Sequence, residues 1–239
     1  MLVLSIDFES TGLNVAEDHV IEVGMALYST GQRKILESSG YLVKSDKPIS
    51  EEITKITGIH PSAVEKFGFD SKDALQTVIE LIQVADAVAG QNVIQFDKRM
   101  LESWGKRESA SIPDKLWLDT LTDLPGVEGK HLGYMAADAG FLNLFPHSAL
   151  TDCLTVVKLL MGHDIDKVVE RAKSPLVVLQ AHQDRANNDQ AKKLKFRWKP
   201  ERKIWWKVVK EMDVDELVKS APFDISIEKD TPVEELWYD

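Results

Sequence analysis

The first part of the chain alternates between apolar runs and short polar turns. Residues 2–6 form an apolar run that ends in alternating acids, and residues 20–28 and 33–43 are two more strand-like runs separated by a polar turn at residues 29–32. Apolar runs of this length with polar boundaries are typical of β-strands. The pattern therefore predicts that the chain opens with three strands joined by turns.

A helical pattern follows the three predicted strands. Ser50 is placed to cap a short helix with Glu51 and Glu52 in its first turn and Gly58 after its end, and Ser71 is placed to cap a second helix. Apolar residues of the second helix fall at helical spacing at Leu75, Val78, Ile79 and Ile82. We predict two helices here.

Short buried strands then alternate with helices. Residues 87–89 and 116–118 have the composition of strands, and residues 96–104 that of a helix. Ser148 could cap a later helix with a core face at Leu150, Leu154, Val157 and Met161. Three strands followed by alternating helices and strands predict an α/β domain with a mixed sheet and flanking helices over residues 1–172.

The pattern of apolar and polar residues changes after residue 172, and we interpret residues 173–239 as a small C-terminal α+β module. Residues 176–179 resemble a strand, residues 184–194 a polar helix, and residues 195–198 with 203–209 a hairpin. The turn of this hairpin has Pro at its second position, which favours a β-turn.

Composition and cysteine content narrow the class of protein. The 239 residues are 44% hydrophobic and 28% charged, which is typical of folded globular chains. Cys153 is the single cysteine, so neither an intrachain disulfide nor a cysteine-based zinc site can form, and a reducing cytoplasm is expected. No apolar run is long enough to span a bilayer, and the apolar N-terminus meets Asp7 without a preceding basic segment. We therefore predict neither export nor membrane partners.

Positive charge is concentrated in the C-terminal module. The formal net charge is −10, but residues 191–210 carry nine basic side chains against one acid, a local net charge of +8 that leaves −18 on the other 219 residues. Basic side chains follow phosphates, and Trp rings stack on bases. Predicted nucleic-acid contacts are Arg197, Trp198, Lys203, Trp205 and Trp206. The alternative is that these Trp rings form the core of the module.

Four acids could form a divalent-metal site. Asp7 and Glu9 lie two apart at the end of a predicted strand, so both carboxylates leave the same face and repel each other unless a cation joins them. Asp97 begins a predicted helix, and Asp152 lies in the first turns of another helix, five residues after His147. Carboxylates are the ligands that Mg²⁺ prefers. Each acid alone is better explained as an ordinary surface or helix-start charge, and the order of the four along the chain is the stronger signal.

Three segments in order resemble the three exonuclease motifs of the DEDDh family of 3′-to-5′ exonucleases. They are Asp7-Phe8-Glu9-Ser10-Thr11-Gly12-Leu13, Gln91-Asn92-Val93-Ile94-Gln95-Phe96-Asp97 and His147-Ser148-Ala149-Leu150-Thr151-Asp152. The resemblance covers residues 1 to about 162 and implies a ribonuclease H-like fold. One departure is Gln91, where many members have His, and we expect an altered contact to the terminal nucleotide there.

The same resemblance implies roles for particular residues. Asp7, Glu9, Asp97 and Asp152 would bind two divalent ions, Mg²⁺ with Mn²⁺ as a substitute, and His147 would take the proton of the attacking water. The residues expected to contact the 3′-terminal nucleotide are Thr11, Gly12, Leu13 and Asn92. Thr11 and Gly12 are equally compatible with a plain turn.

The motifs predict a metal-dependent 3′-to-5′ exonuclease acting on DNA, with single-stranded 3′ ends as the expected substrate. An exoribonuclease of the ribonuclease T or oligoribonuclease type is the first alternative, because the motifs do not reveal whether a 2′-hydroxyl is tolerated. A non-catalytic nucleic-acid-binding protein on a nuclease fold is the second. The presence of all four acids and His147 argues against the second alternative.

Overall fold

The computed structural model describes residues 1–125, 131–184, 188–229 and 233. The chain separates into two compact units, Met1–Ala172 and Lys173–Asp239. Among the described residues, no helix combines the length and apolar character needed to cross a membrane.

The first unit is built on a five-stranded mixed sheet. Its strands are β1 (Leu2–Ser10), β2 (Val20–Ser29), β3 (Lys34–Leu42), β4 (Ala87–Gly90) and β5 (Leu116–Asp119). They lie in the order β3-β2-β1-β4-β5, in which β1, β2 and β3 are antiparallel while β4 and β5 run parallel to β1. This arrangement confirms the predicted mixed sheet and its three opening strands.

Helices flank both faces of this sheet. They are α1 (Glu51–Thr57), α2 (Pro61–Phe67), α3 (Ser71–Val84), α4 (Asp97–Arg107), α5 (Thr120–Asp123), α6 (Leu132–Asp138), α7 (Ala149–Met161) and α8 (Ile165–Lys173). Helices α3 and α4 bury one face around Leu4, Ile6 and Phe8. Helices α6, α7 and α8 bury the opposite face around Val3 and Leu118. The fold is therefore a three-layer sandwich with the central strand β1 buried on both sides.

The helix starts show which capping predictions hold. The Ser50 hydroxyl accepts a hydrogen bond from the Ile53 amide at 3.2 Å, and Gly58 ends α1 with φ 73°, as predicted. Asp70 rather than Ser71 caps α3, because its carboxylate accepts a hydrogen bond from the Lys72 amide at 3.0 Å.

The sequence pattern did not predict α2, and it placed the end of α4 at residue 104, three residues before its end at Arg107.

The predicted core face of α7 is confirmed in part, since Val157 is fully buried and Leu154 and Met161 pack against the same core cluster. Leu150, Leu154 and Met161 are half-buried. The fully buried apolar residues of this helix are Ala149, Cys153, Val156, Val157, Leu159 and Leu160. Because α7 lies across β1 and β2 and also packs against α6, a wider face is enclosed than a one-sided surface helix would bury. The Ser148 side chain makes no capping hydrogen bond.

In its described residues, the second unit has a four-stranded antiparallel sheet and the short α-helices α9 (Asn188–Lys193) and α10 (Val214–Ser220). Its strands are β6 (Leu176–His182), β7 (Arg197–Lys199), β8 (Ile204–Lys210) and β9 (Asp224–Glu228), in the order β7-β8-β6-β9. The predicted hairpin forms as β7 and β8, whereas β9 and α10 were not predicted. Of the predicted helix over 184–194, residues 185–187 lie outside the described residues.

Candidate active site

The end of β1 sends its acids and its apolar side chains to opposite faces of the sheet. The Phe8 ring packs edge-on against Trp104 of α4, with ring centroids 6.1 Å apart, and so belongs to the core beneath that face. Side chains alternate along a strand, so Asp7 and Glu9 point to the other face, the one covered by α7. The aromatic contact thereby fixes the direction of both carboxylates.

A glycine brings the start of α7 close to these acids. Gly24 of β2 is the register partner of Asp7, and a Cβ placed on it would lie 2.1 Å from the carbonyl carbon of Ala149, the first residue of α7. Only glycine permits this approach. Beside it, the Glu22 carboxylate accepts a hydrogen bond from the Ala149 amide at 3.2 Å, which caps the helix from the neighbouring strand.

The approach of α7 assembles a compact acidic cluster. Asp7, Glu9 and Asp152 each offer a carboxylate oxygen, and these three oxygens lie within 4.8 Å of one another. Two donors hold the Asp152 carboxylate: the His147 amide donates to Oδ2 at 3.0 Å, and the Asn143 side-chain amide donates to Oδ1. The orientation of Asp152 is therefore set by the residues just before α7.

Asp97 joins the cluster from the opposite helix layer. It is the first residue of α4 and is buried, and its Oδ1 accepts a hydrogen bond from the Phe8 amide at 2.9 Å, between the two acids of β1. The structure thus brings all four predicted acids to one end of β1. They come from three elements separated by up to 145 positions in the chain.

Burial and mutual repulsion raise the pKa values of these acids. Burial, followed by the charges of Asp152 and Glu22, raises the pKa of Asp7 to about 8. Burial, followed first by the charge of Asp7, raises the pKa of Glu9 to about 9. Burial likewise raises the pKa values of Asp97, Asp152 and Glu22. Carboxylates that repel one another in this way are complementary to cations, and an all-oxygen donor set suits hard divalent ions.

His147 lies beside the cluster with its side chain exposed. It adopts φ 63°, in the left-handed region that few non-glycine residues occupy, while its amide is bonded to Asp152. The imidazole is accessible to a ligand at the acids.

The second motif is held by a buried carboxylate at the end of β5. Asp119 accepts hydrogen bonds from the amides of Asn92 at 2.8 Å, Ile94 at 3.3 Å and Leu121 at 2.9 Å. Burial raises its pKa to about 6. These hydrogen bonds hold Asn92 at φ 56°. The Thr120 hydroxyl donates a hydrogen bond to the Gln91 side-chain oxygen. Asp119 therefore shapes the loop that leads to Asp97.

The residues after Glu9 form a bonded turn with one exposed apolar tip. The Thr11 amide donates to the His19 carbonyl at 2.9 Å and its hydroxyl donates to Asp18 at 2.8 Å. Both donors of Thr11 are thus engaged inside the protein, and its contact with the 3′-terminal nucleotide stays a prediction. Gly12 lies so close to Asp18 that a Cβ would clash, whereas Leu13 is exposed.

The tryptophans of the second unit differ in exposure. Trp206 is buried and packs with Val178, so its ring is not presented to a ligand, and the predicted nucleic-acid contact of Trp206 needs correction. Trp198 is 46% exposed, and its ring centroid lies 5.6 Å from that of its strand partner Trp205. The Arg197 guanidinium lies 5.8 Å from the Trp206 ring centroid, and Lys203 is exposed.

Sequence reasoning missed three residues of the site: Glu22, Asp119 and Asn143. Glu22 carried a usable signal, since it is an acid within an otherwise apolar strand. Asp119 has the same signal, as the polar end of a short buried strand. Asn143 has none, because it lies in a loop and acts through a contact with Asp152 that only the folded chain creates.

A mixed sheet in this strand order, with carboxylates gathered at the end of its central strand, is a ribonuclease H-like fold. Residues 4–160 match the family described as Exonuclease (RNase_T), and the chain belongs to that family. Its members are divalent-metal-dependent nucleases, which the acidic cluster fits.

Similar proteins agree with this assignment. The chain is 30% identical over 118 residues to the DNA polymerase III PolC-type of Thermotoga maritima and 29% identical to that of Thermotoga petrophila. Each match covers 48% of this chain and 8% of the relative. Escherichia coli exonuclease I in complex with a dA16 oligonucleotide has the same fold, with a TM-score of 0.62 and 15% identity over 76% of this chain and 48% of that one. Another exonuclease I structure matches with a TM-score of 0.66 and 14% sequence identity, over 90% of this chain and 67% of that one.

Proposed function

We propose that this protein is a 3′-to-5′ exonuclease that hydrolyses phosphodiester bonds at single-stranded DNA 3′ ends with two Mg²⁺ ions, for which Mn²⁺ can substitute. The observation that carries the proposal is the gathering of Asp7, Glu9, Asp97 and Asp152 beside an exposed His147 in a chain of the exonuclease family. The solved relatives with the same fold include exonuclease I bound to dA16 and dT13 oligonucleotides, which supports single-stranded DNA as substrate.

The residues of the cluster divide the chemistry among them. Asp7, Glu9, Asp97 and Asp152 would hold the ions, which when bound polarise the scissile phosphate, lower the pKa of the attacking water and stabilise the leaving 3′ oxygen. The exposed imidazole of His147 takes the proton of that water, a role that suits an imidazole near neutral pH. The hydrogen bond from the His147 amide to the Asp152 carboxylate holds the proposed base next to a proposed metal ligand.

We further propose that the second unit binds the single strand. Trp198 and Trp205 offer a partly exposed aromatic pair, and Arg197 and Lys203 lie on the same hairpin. Base stacking and phosphate contacts of this type bind single strands without sequence preference. With its single buried cysteine, the protein suits a reducing compartment such as the cytoplasm.

The test compares substrates in one assay. Purified protein is incubated with end-labelled single-stranded DNA, duplex DNA and RNA, each with Mg²⁺ and with EDTA. We expect a ladder that shortens from the 3′ end of single-stranded DNA and disappears in EDTA. Faster digestion of RNA would establish the exoribonuclease alternative, and binding without cleavage in Mg²⁺ would establish the non-catalytic one.

A further inference from the structure

The loop between α6 and α7 exposes a run of apolar side chains. Within this α6–α7 loop, residues 139–148, Leu142 is 73% exposed, Leu144 71% and Phe145 66%. One exposed leucine is ordinary on a protein surface, but three large apolar side chains within four residues form a patch. A patch of this kind marks a surface that contacts something else.

Hydrogen bonds at both ends fix this loop, so its exposure does not reflect a lack of structure. At the start, Gly140 adopts φ 81°, and the Phe141 amide donates to the Ala136 carbonyl at 3.0 Å while the Phe141 ring packs against the core. At the end, the Ser148 amide donates to the Phe145 carbonyl at 3.2 Å. The backbone therefore turns Phe141 inward and leaves the next apolar side chains outside.

The loop is also bonded directly to the acidic cluster. The Asn143 side chain donates to Asp152 and accepts a hydrogen bond from the Phe145 amide at 3.3 Å. The His147 amide donates to the other oxygen of Asp152. These hydrogen bonds hold the apolar patch beside the Asp152 carboxylate. Phe145 lies two residues before His147, whose imidazole is exposed.

The composition of the loop decides what kind of ligand it fits. Residues 139–148 contain no Asp, Glu, Lys or Arg. The exposed side chains of Leu142, Leu144 and Phe145 carry neither a charge nor a hydrogen-bond donor for a phosphate, yet they border the place where a strand end must lie for cleavage. The parts of a nucleotide that an uncharged apolar surface can contact are the faces of its base.

We propose that Leu142, Leu144 and Phe145 form a contact surface for the unpaired bases of the 3′-terminal nucleotides, fixed beside the acids by Asn143. This inference rests on the proposed nuclease function and adds a base-contacting surface to it. Contacts to base faces tolerate any sequence, and they require that the terminal bases be unpaired. The surface therefore favours single-stranded ends over fully paired ones.

The experiment measures affinity for a fluorescent oligonucleotide in EDTA, where no cleavage occurs, for wild type, Phe145→Ser and Leu144→Ser. The matched control is Phe67→Ser, because Phe67 of α2 is 64% exposed and lies outside the loop. We expect Phe145→Ser to weaken binding about tenfold. The plot of log affinity against log salt should keep its slope, because no phosphate contact is lost.

A second oligonucleotide, with abasic sites at its last two 3′ positions, identifies the bound group. Wild type should bind it about tenfold more weakly than the complete strand, and Phe145→Ser should add no further loss. Circular dichroism confirms that each variant is folded. Unchanged affinity for both loop variants, or an equal loss on complete and abasic strands, would overturn the base contact.

The outcome is separable from that of the nuclease proposal. Cleavage of single-stranded DNA by wild type, with no difference between the loop variants and Phe67→Ser, refutes the base contact and leaves the nuclease proposal standing. Wild type that cuts no nucleic acid in Mg²⁺ but shows the abasic-dependent loss refutes only the nuclease proposal.

Discussion

The sheets of the two units differ in the sign and the burial of their charged side chains. In the first unit, the central strand ends in carboxylates that are half-buried beneath α7, and burial, followed by mutual repulsion, raises the pKa values of Asp7 and Glu9. In the second unit, the basic side chains of the β7–β8 hairpin include the exposed Arg197 and Lys203. One region concentrates charge where water is scarce, and the other displays it to solvent.

The difference separates chemistry from affinity. Buried, repelling carboxylates bind a cation in a fixed place, which a reaction at one phosphate requires. Exposed cations on a small sheet attract a polyanion over a distance of about the Debye length and bind it in many registers. Changes at the acids should therefore abolish turnover and spare binding, whereas changes in the hairpin should weaken binding and spare chemistry.

Asp7→Asn should have the largest effect and tests whether the acidic cluster serves chemistry rather than strand binding. Loss of one carboxylate from the cluster removes several kcal/mol of charge stabilisation, so turnover should fall by about 10³-fold or more. Single-strand affinity in EDTA should be unchanged at neutral pH, because a pKa of about 8 leaves Asp7 mostly protonated when no metal is bound. Single-turnover cleavage and fluorescence anisotropy measure the two quantities. A folded Asp7→Asn protein with normal Mg²⁺-dependent cleavage contradicts the metal assignment.

His147→Ala should also act on chemistry. If His147 is the general base, as proposed, its removal should lower turnover by about 10² to 10⁴-fold at neutral pH. The exposed imidazole makes no packing contribution that would unfold the protein, and Mn²⁺ affinity measured calorimetrically should be close to that of wild type. A parallel loss of Mn²⁺ affinity would instead make His147 a ligand.

Asn143→Ala tests a residue that acts through Asp152. Loss of a donor that orients a metal ligand should reduce Mn²⁺ affinity and turnover about 10- to 100-fold. Asn143→Gln keeps a side-chain amide and should recover part of the loss. The measurements are Mn²⁺ calorimetry and kcat with KM. If both variants match wild type in Mn²⁺ affinity, the bond to Asp152 does not position the carboxylate.

The hairpin is tested by Arg197→Gln combined with Lys203→Gln. If both side chains contact phosphates, the plot of log affinity against log salt should flatten by about 1.4, since each single-strand contact contributes about 0.7. Cleavage at saturating DNA should be unchanged. Lys219→Gln, on α10 and outside the basic run, is the matched control and should leave the slope as it is. An unchanged slope in the double variant removes the second unit from strand binding.

The smallest expected effect is a pH dependence of stability. The folded pKa values of Asp7 and Glu9 lie above the ordinary values of 3.8 and 4.5, so the folded protein holds more protons than the unfolded chain between about pH 4 and 9. Stability without metal should therefore fall as the pH rises through this window. In the proposed site Mg²⁺ would bind the ionised acids, so the rise in Tm that Mg²⁺ causes should be larger, by a few degrees, at pH 8.5 than at pH 6.5. Equal increases at both pH values, or an increase retained in Asp7→Asn, would contradict this linkage.

Local patterns predicted much of the first unit. The three opening strands and the cap at Ser50 depend on side-chain alternation and on bonds between near neighbours, which short segments reveal. Predictions failed where a distant partner decided the outcome. The core face of α7 depends on how the helix crosses β1 and β2, and the burial of Trp206 depends on Val178, 28 positions earlier.

The sequence by itself determined which carboxylates and which histidine the motifs carry, their order along the chain and the family to which the chain belongs, because residue identity and motif spacing can be read without the fold. Only the tertiary structure decided how those atoms meet. Gly24 admits the start of α7, Asn143 turns Asp152, and Asp119 holds the second motif, each through a contact across the sheet or between loops. Such contacts leave no periodic signal, since they are made by single side chains whose partners are chosen by the packing of whole elements.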